Sequence, residues 1–146
     1  MSVVVMFTVN GLPKTKGSMR YIGSGRMVEG NRGSKDWRTM VAESAFAEIG
    51  GVDGKVPDGF PVTNVPLHID AIFRFPRPKS KKRGSPITRA TGDIDKLLRN
   101  ILDALQDAGI VGDDAQFTSC TASKQYVADQ SIPGAKIIVT RVSEER

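Results

Sequence analysis

At 146 residues the chain is long enough to bury a real core as one domain, residues 1–146, without disulfide or metal staples. A composition of 39% hydrophobic and 25% charged residues excludes wholesale disorder; the single cysteine, Cys120, excludes an intramolecular bridge, and the lack of a Cys/His cluster excludes a zinc site, which suits a reducing, cytoplasmic setting. The net charge of +5 is uneven, because six Asp between Asp93 and Asp114 stand against Lys96 and Arg99, a local −4 that leaves +9 on the remainder, and such a basic body favours a polyanion such as nucleic acid.

The opening "MSVVVMFTVN" has no basic leader and too short an apolar run for a signal peptide or membrane span, so it reads as a strand over 3–9, and no membrane partner is expected. "NGLPKTKGSMRYIGSGRMVEGNRG" is rich in Gly, Lys and Arg with little apolar periodicity, which predicts a long loop or irregular hairpin. From Ser34, taken as an N-cap, a helix places Trp37, Met40, Val41, Ala45 and Ile49 on one face and stops at Gly50. The Gly- and Pro-rich 51–66 segment reads as a surface connection.

In "PLHIDAIFRF", Leu67, Ile69, Ala71, Phe73 and Phe75 alternate with His68, Asp70, Ile72 and Arg74, the period-2 pattern of a strand with one buried face. Seven Lys or Arg follow from Arg74 to Arg89 with three prolines and no acid, which rules out a helix there. Leu98, Ile101, Leu102, Leu105 and Ala108 mark a second helix ending at Gly109, and "FTSCTASKQYV" and "AKIIVTRV" read as strands. The order β-α-β-α-β-β predicts an α+β fold, a small mixed sheet with two helices. Trp37 is assigned to the core, His68 to an ordinary strand position, and Cys120 to a small buried or strand-facing position.

The stretch "GDIDKLLRNILDALQDAGIVGDDAQF" holds the six aspartates. Asp93 and Asp95 stand where the basic loop gives way to the second helix, and Asp113 and Asp114 follow that helix and its turn. Two readings fit this spacing. Asp caps helices and favours turns, so the cluster can be structural. Paired carboxylates without His or Cys also suit hard Mg²⁺, which completes its shell with phosphate oxygens and water. The second reading requires the chain to return along the helix, through Ile110 and Val111, so that Asp113 or Asp114 meets Asp93 and Asp95.

Those 24 continuous residues from Asp93 to Gln116 resemble the signature of the RusA-type Holliday junction resolvases: an Asp-x-Asp pair opening a helix with D-A-L in its second half, a glycine turn, then D-D-A-Q. "LPKTKGSMRY" loosely resembles the start of phage-type members, and a small stand-alone resolvase suits a phage or prophage. The resemblance implies a two-fold dimer that uses Mg²⁺, with Mn²⁺ as a substitute, to nick branched DNA in pairs across a four-way junction. It places the metal-binding and catalytic aspartates at Asp93, Asp95 and Asp114. Asp113, and Asp103 pairing with Arg99 at i+4, take supporting places.

The family's lysine four residues after the second aspartate is Arg99 here, and the asparagine directly after that aspartate is Lys96. Arg stays charged, so Arg99 is expected to clamp phosphate rather than donate a proton, with Lys96 the alternative cation. Lys14, Lys16, Arg20, Arg77, Lys79, Lys81, Lys82, Arg83 and Lys96 are the expected DNA contacts. A non-catalytic DNA-binding protein on the same scaffold, and a nuclease directed at flaps, forks or RNA, remain the rival readings.

Overall fold

A computed structural model of the chain describes residues 2–16, 19–21, 27–29, 33–81, 83–128 and 131–143, with backbone alone for 19–21 and 27–29. The elements are β1 (Ser2–Asn10), β2 (Met19–Tyr21), β3 (Met27–Glu29), α1 (Ser34–Glu48), β4 (Leu67–Phe75), α2 (Ile94–Asp107), β5 (Phe117–Tyr126) and β6 (Gly134–Arg141). Four strands form one mixed sheet in the order β1-β6-β4-β5, while β2 and β3 pair in a small separate ribbon. The fold is α+β, and the expected strands and helices are found with their ends moved by only a few residues.

Alternation builds the core. Along β4 every second side chain from Leu67 to Phe75 is buried, and on β6 the inward set is Ala135, Ile137 and Val139. Antiparallel pairing aligns the two, with Ile69 opposite Val139 and Phe73 opposite Ala135. β1 adds Val5, Phe7 and Val9, and both helices cover this same face with Trp37, Val41 and Ala45 from α1 and Leu97, Ile101, Ala104 and Leu105 from α2. The largest fully buried side chains are Leu, Ile, Val and Phe almost throughout, the composition expected for a two-layer core.

β4 and β5 are parallel, running from Leu67 opposite Phe117 to Phe75 opposite Tyr126. A parallel pair cannot be joined by a hairpin, so the connection must cross over the sheet, and α2 is that crossover. This topology decides where the aspartates go.

Several local expectations are corrected. Gly33, at φ 83°, holds the cap position of α1, and Ser34 is already inside the helix and buried. Its hydroxyl accepts from the Asn100 amide at 3.2 Å. The α1 stripe is Trp37, Val41 and Ala45, leaving Met40 40% exposed at its margin. On α2 the buried stripe begins at Leu97, one residue before the predicted Leu98, because the helix turns Asn100 and Ile101 inward together; Leu98 and Leu102 are only partly buried. The 51–66 connection is not all surface, since Val62 is buried and bridges in parallel to Val111. Cys120 is exposed on β5.

Candidate active site

Asp93 and Asp95 owe their position to a bend. After β4 the chain runs through the basic segment, forms a 3₁₀ turn at Arg89–Thr91, then reverses at Gly92 with φ 87° and ψ 169°. That conformation is essentially restricted to glycine, and a Cβ there would also run into the Thr15 methyl. Asp93 follows at the N-cap position of α2 and Asp95 sits in its first turn.

The helix does not use the Asp93 side chain as a cap: no cap hydrogen bond to it is present. Both side chains instead face solvent, 73% exposed for Asp93 and 66% for Asp95. Each has one loose cation, Lys96 Nζ at 3.7 Å from Asp93 and Arg99 at 3.8 Å from Asp95. Exposed pairs at these distances contribute little to stability, about 0–1 kcal/mol, and are readily exchanged for a stronger counter-ion. Arg99 therefore pairs one turn back with Asp95 rather than forward with Asp103.

The two aspartates open onto a concavity of about 710 Å³ shared with Ile87, Arg89, Ile94 and Lys124. Lys124 is absent from the site residues expected on sequence. Its ammonium donates to the Gly92 carbonyl at 2.7 Å and to Thr91 Oγ1 at 3.1 Å. A signal did exist: Ala122, Lys124 and Tyr126 alternate on one face of β5, and a lysine at a core-face position requires a partner.

Asp113 and Asp114 are elsewhere. The Asp113 carboxylate accepts from the Ala115 N–H at 2.9 Å, and its own N–H donates to Gln116 Oε1 at 3.1 Å, a reciprocal cap on the Asp114–Gln116 3₁₀ turn. Asp114 donates its backbone N–H to Gln106 Oε1 at 3.2 Å, which fastens it beside the last turn of α2. α2 has 14 residues, so about 20 Å of helix separates this end from Asp93 and Asp95. The expected return along the helix is corrected in the single chain: Ile110 and Val111 are buried, but β5 starts at the far end and its own length, not the Asp113–Asp114 turn, runs back to the Asp95 end.

Asp103 faces the other way as well. It binds Lys16 Nζ at 2.7 Å with Arg38 at 3.8 Å, and its side chain is 17% exposed. Lys16 is thereby partly committed, and its backbone N–H donates to the Lys96 carbonyl, so the 11–16 loop lies against the start of α2. The Lys14 carbonyl accepts from the buried Asn100 amide at 3.1 Å, a second tie between that loop and the helix.

Farther along the basic segment, Arg77 stacks 4.7 Å over the Tyr126 ring and shares a second concavity of about 740 Å³ with Lys79 and Lys81. Arg83 is exposed on the same segment. Lys82 and the Arg20 side chain lie outside the described residues. His68 is a satisfied strand residue, its ring nitrogens 2.7 Å from Ser119 Oγ and 3.1 Å from Asp70.

Among the described residues no three Asp, Glu, His or Cys converge as a ready metal site. The Asp93 and Asp95 carboxylates do line one concavity, and that donor set fits a hard cation that completes its shell with substrate phosphate and water. Softer metals are not suited by oxygen donors alone. Also among the described residues, no helix is long and apolar enough to cross a membrane.

An exposed Asp-x-Asp pair at the start of a crossover helix, with Lys96, Arg99 and Lys124 nearby on a basic α+β body, is an arrangement that suits a cation and a phosphate together. The model of the family described as Endodeoxyribonuclease RusA matches residues 11–140, most of the chain, and the chain belongs to that family. No curated protein matches it significantly.

Proposed function

We propose that this chain is a single-domain, Mg²⁺-dependent and structure-selective endonuclease that resolves four-way DNA junctions by paired symmetric nicks, acting as a homodimer. The observation that carries the reading is the Asp93–Asp95 pair, which lies within the residues that match an endodeoxyribonuclease family yet has exposed side chains and only loose ionic partners. Carboxylates kept only to cap a helix would be bonded to it.

Asp93 and Asp95 would hold the cation between them. A divalent cation held there, Mg²⁺ or Mn²⁺ in its place, would supply charge neutralisation at phosphate and activation of water for an in-line displacement. Lys96 and Arg99, released from their carboxylates, turn to the phosphate, and Arg99 acts as a permanent clamp because it stays charged. Arg77, Lys79, Lys81 and Arg83 hold the arms through the backbone, which positions DNA without reading its sequence.

A dimer serves two needs. Opposed cuts call for two sites related by a two-fold axis. The position of Asp114 supplies the second need: an axis perpendicular to α2 near its midpoint exchanges the helix ends, carrying the second copy's Asp114 toward the first copy's Asp93 and Asp95.

Incubation of the purified protein with end-labelled four-way junction and linear duplex, in Mg²⁺ or in EDTA, tests the whole reading. Paired symmetric nicks in the junction with Mg²⁺, and binding without cleavage in EDTA, are expected. Cutting in excess EDTA rejects the metal requirement. Binding without cleavage of any branched DNA in Mg²⁺ or Mn²⁺ identifies a non-catalytic binding protein, and equal cutting of flaps and forks identifies a broader branched-DNA nuclease.

A further inference from the structure

Lys124 reaches the bend just before the aspartates from the sheet. On β5 it stands level with Phe73 of β4, and Phe73 is fully buried, so the lysine stem leaves the strand on the helix-covered face. Its ammonium then meets the chain at the bend before α2, at the Gly92 carbonyl and Thr91 Oγ1. The Thr91 hydroxyl is already a donor, toward the carbonyls of Thr88 at 2.8 Å and Pro86 at 3.1 Å, so its lone pairs are free to accept from Lys124. One cation thus ties residues 86–92 to the sheet.

That tie has consequences for the carboxylates. Asp93 and Asp95 have no short hydrogen bond among the described residues to aim them, and their ion pairs are loose. Their direction is set by the backbone, which passes through the Gly92 conformation that no ordinary residue favours. Charge-assisted hydrogen bonds are about twice as strong as neutral ones. The Lys124 contact is therefore a charge-assisted restraint on the approach to the pair.

We propose that Lys124 is a positioning residue for Asp93 and Asp95, holding the Thr91–Gly92 bend in the orientation that presents both carboxylates to a shared divalent cation. This rests on the reading above for the cation's role but not for the bend itself.

Lys124→Met keeps the stem and removes the ammonium, and Lys124→Arg restores a donor. In the metal-free protein, amide hydrogen exchange across 91–96 is expected to rise roughly ten- to a hundred-fold in Lys124→Met, the range set by one charged hydrogen bond, while exchange in β4 and β6 stays at the parental level. Mn²⁺ titration followed by electron paramagnetic resonance should show weaker binding by a similar factor, with partial recovery in Lys124→Arg. Asp95→Asn serves as the control that assigns the Mn²⁺ signal to this pair. Unchanged exchange at 91–96, or parental Mn²⁺ affinity, overturns the proposal, and so does a rise in exchange spread evenly over the sheet. If the parent binds Mn²⁺ through Asp95 and passes both tests but cuts no branched DNA, the resolvase reading fails and the role of Lys124 stands.

Discussion

Asp113 and Asp95 show how one residue type does two different things at the two ends of one helix. Asp113 satisfies two backbone groups of its own turn through a reciprocal cap, and this local bonding accounts for it. Asp95 has no such bond among the described residues and keeps a loose ion pair with Arg99. Changing Asp95→Asn removes the charge and little else, since Asn has nearly the same shape. The variant should fold as the parent does and bind a four-way junction at least as tightly, because repulsion toward phosphate is relieved. Cleavage should fall by orders of magnitude, about 10²-fold or more, as expected on loss of a metal ligand. Single-turnover cleavage and a binding titration in EDTA check both halves; full cleavage in Mg²⁺ would mark the pair as structural.

The two helices are locked by ion pairs as well as by the core. Arg38 of α1 grips Asp107 of α2 with two bonds, Nε at 2.6 Å and a terminal nitrogen at 2.8 Å, and reaches Asp103 at 3.8 Å. The hydrogen bond from Arg38 holds the Asp107 carboxyl below the ordinary value of 3.8, against the opposing effect of burial. A depressed carboxylate contributes stability that is fully present above its unfolded-state value and lost as pH falls through the lower folded-state value. Both side chains are more than a third exposed, so solvent screening limits the contribution to about 1 kcal/mol. Arg38→Ala should therefore lower unfolding stability by about 1 kcal/mol near pH 7, and the gap should shrink as pH drops below about 4 toward 2. Urea denaturation at both ends of that range measures it, and a gap independent of pH would assign the loss to packing of the Arg38 stem.

At the scale of the whole molecule, the separation of Asp114 from Asp95 makes a trans-acting site testable. In a mixed dimer of Asp95→Asn and Asp114→Asn subunits, sharing across the two-fold gathers both substitutions into one site and leaves the other with all its aspartates. Such a mixture should regain single nicking of a junction although each variant alone is inactive. If the aspartates work within one chain, both sites stay defective and no nicking returns. The basic segment acts on a different quantity. Alanine at Lys79, Lys81, Lys82 and Arg83 together should weaken junction binding and flatten the plot of log K against log salt by ~0.9 for each phosphate no longer neutralised. An unchanged slope would reduce the segment to solvated surface.

Much of this was legible in the residues alone. Strict alternation from Leu67 to Phe75 marks β4 because a strand buried on one face permits no other pattern, and the 24-residue run from Asp93 to Gln116 that carried the resemblance lies inside the 11–140 span matched by the family. The Asp-x-Asp pair is likewise local, two residues apart on one helix start. What spacing could not decide was anything that depends on which strands are neighbours. The parallel pairing of β4 with β5 sends α2 across the sheet, and that one topological choice puts Asp114 at the far end of the helix while bringing Lys124, distant from Asp95 in the chain, to the bend beside it. Helix phase and cap position depend on packing in the same way: Gly33 takes the cap position while Ser34 meets Asn100, and Asp103 takes Lys16 and Arg38 instead of Arg99, because partners from distant segments arrive only when the core closes. Sequence periodicity reports the local backbone and the face that must be dry; the identity of the group across the gap is a property of the tertiary fold.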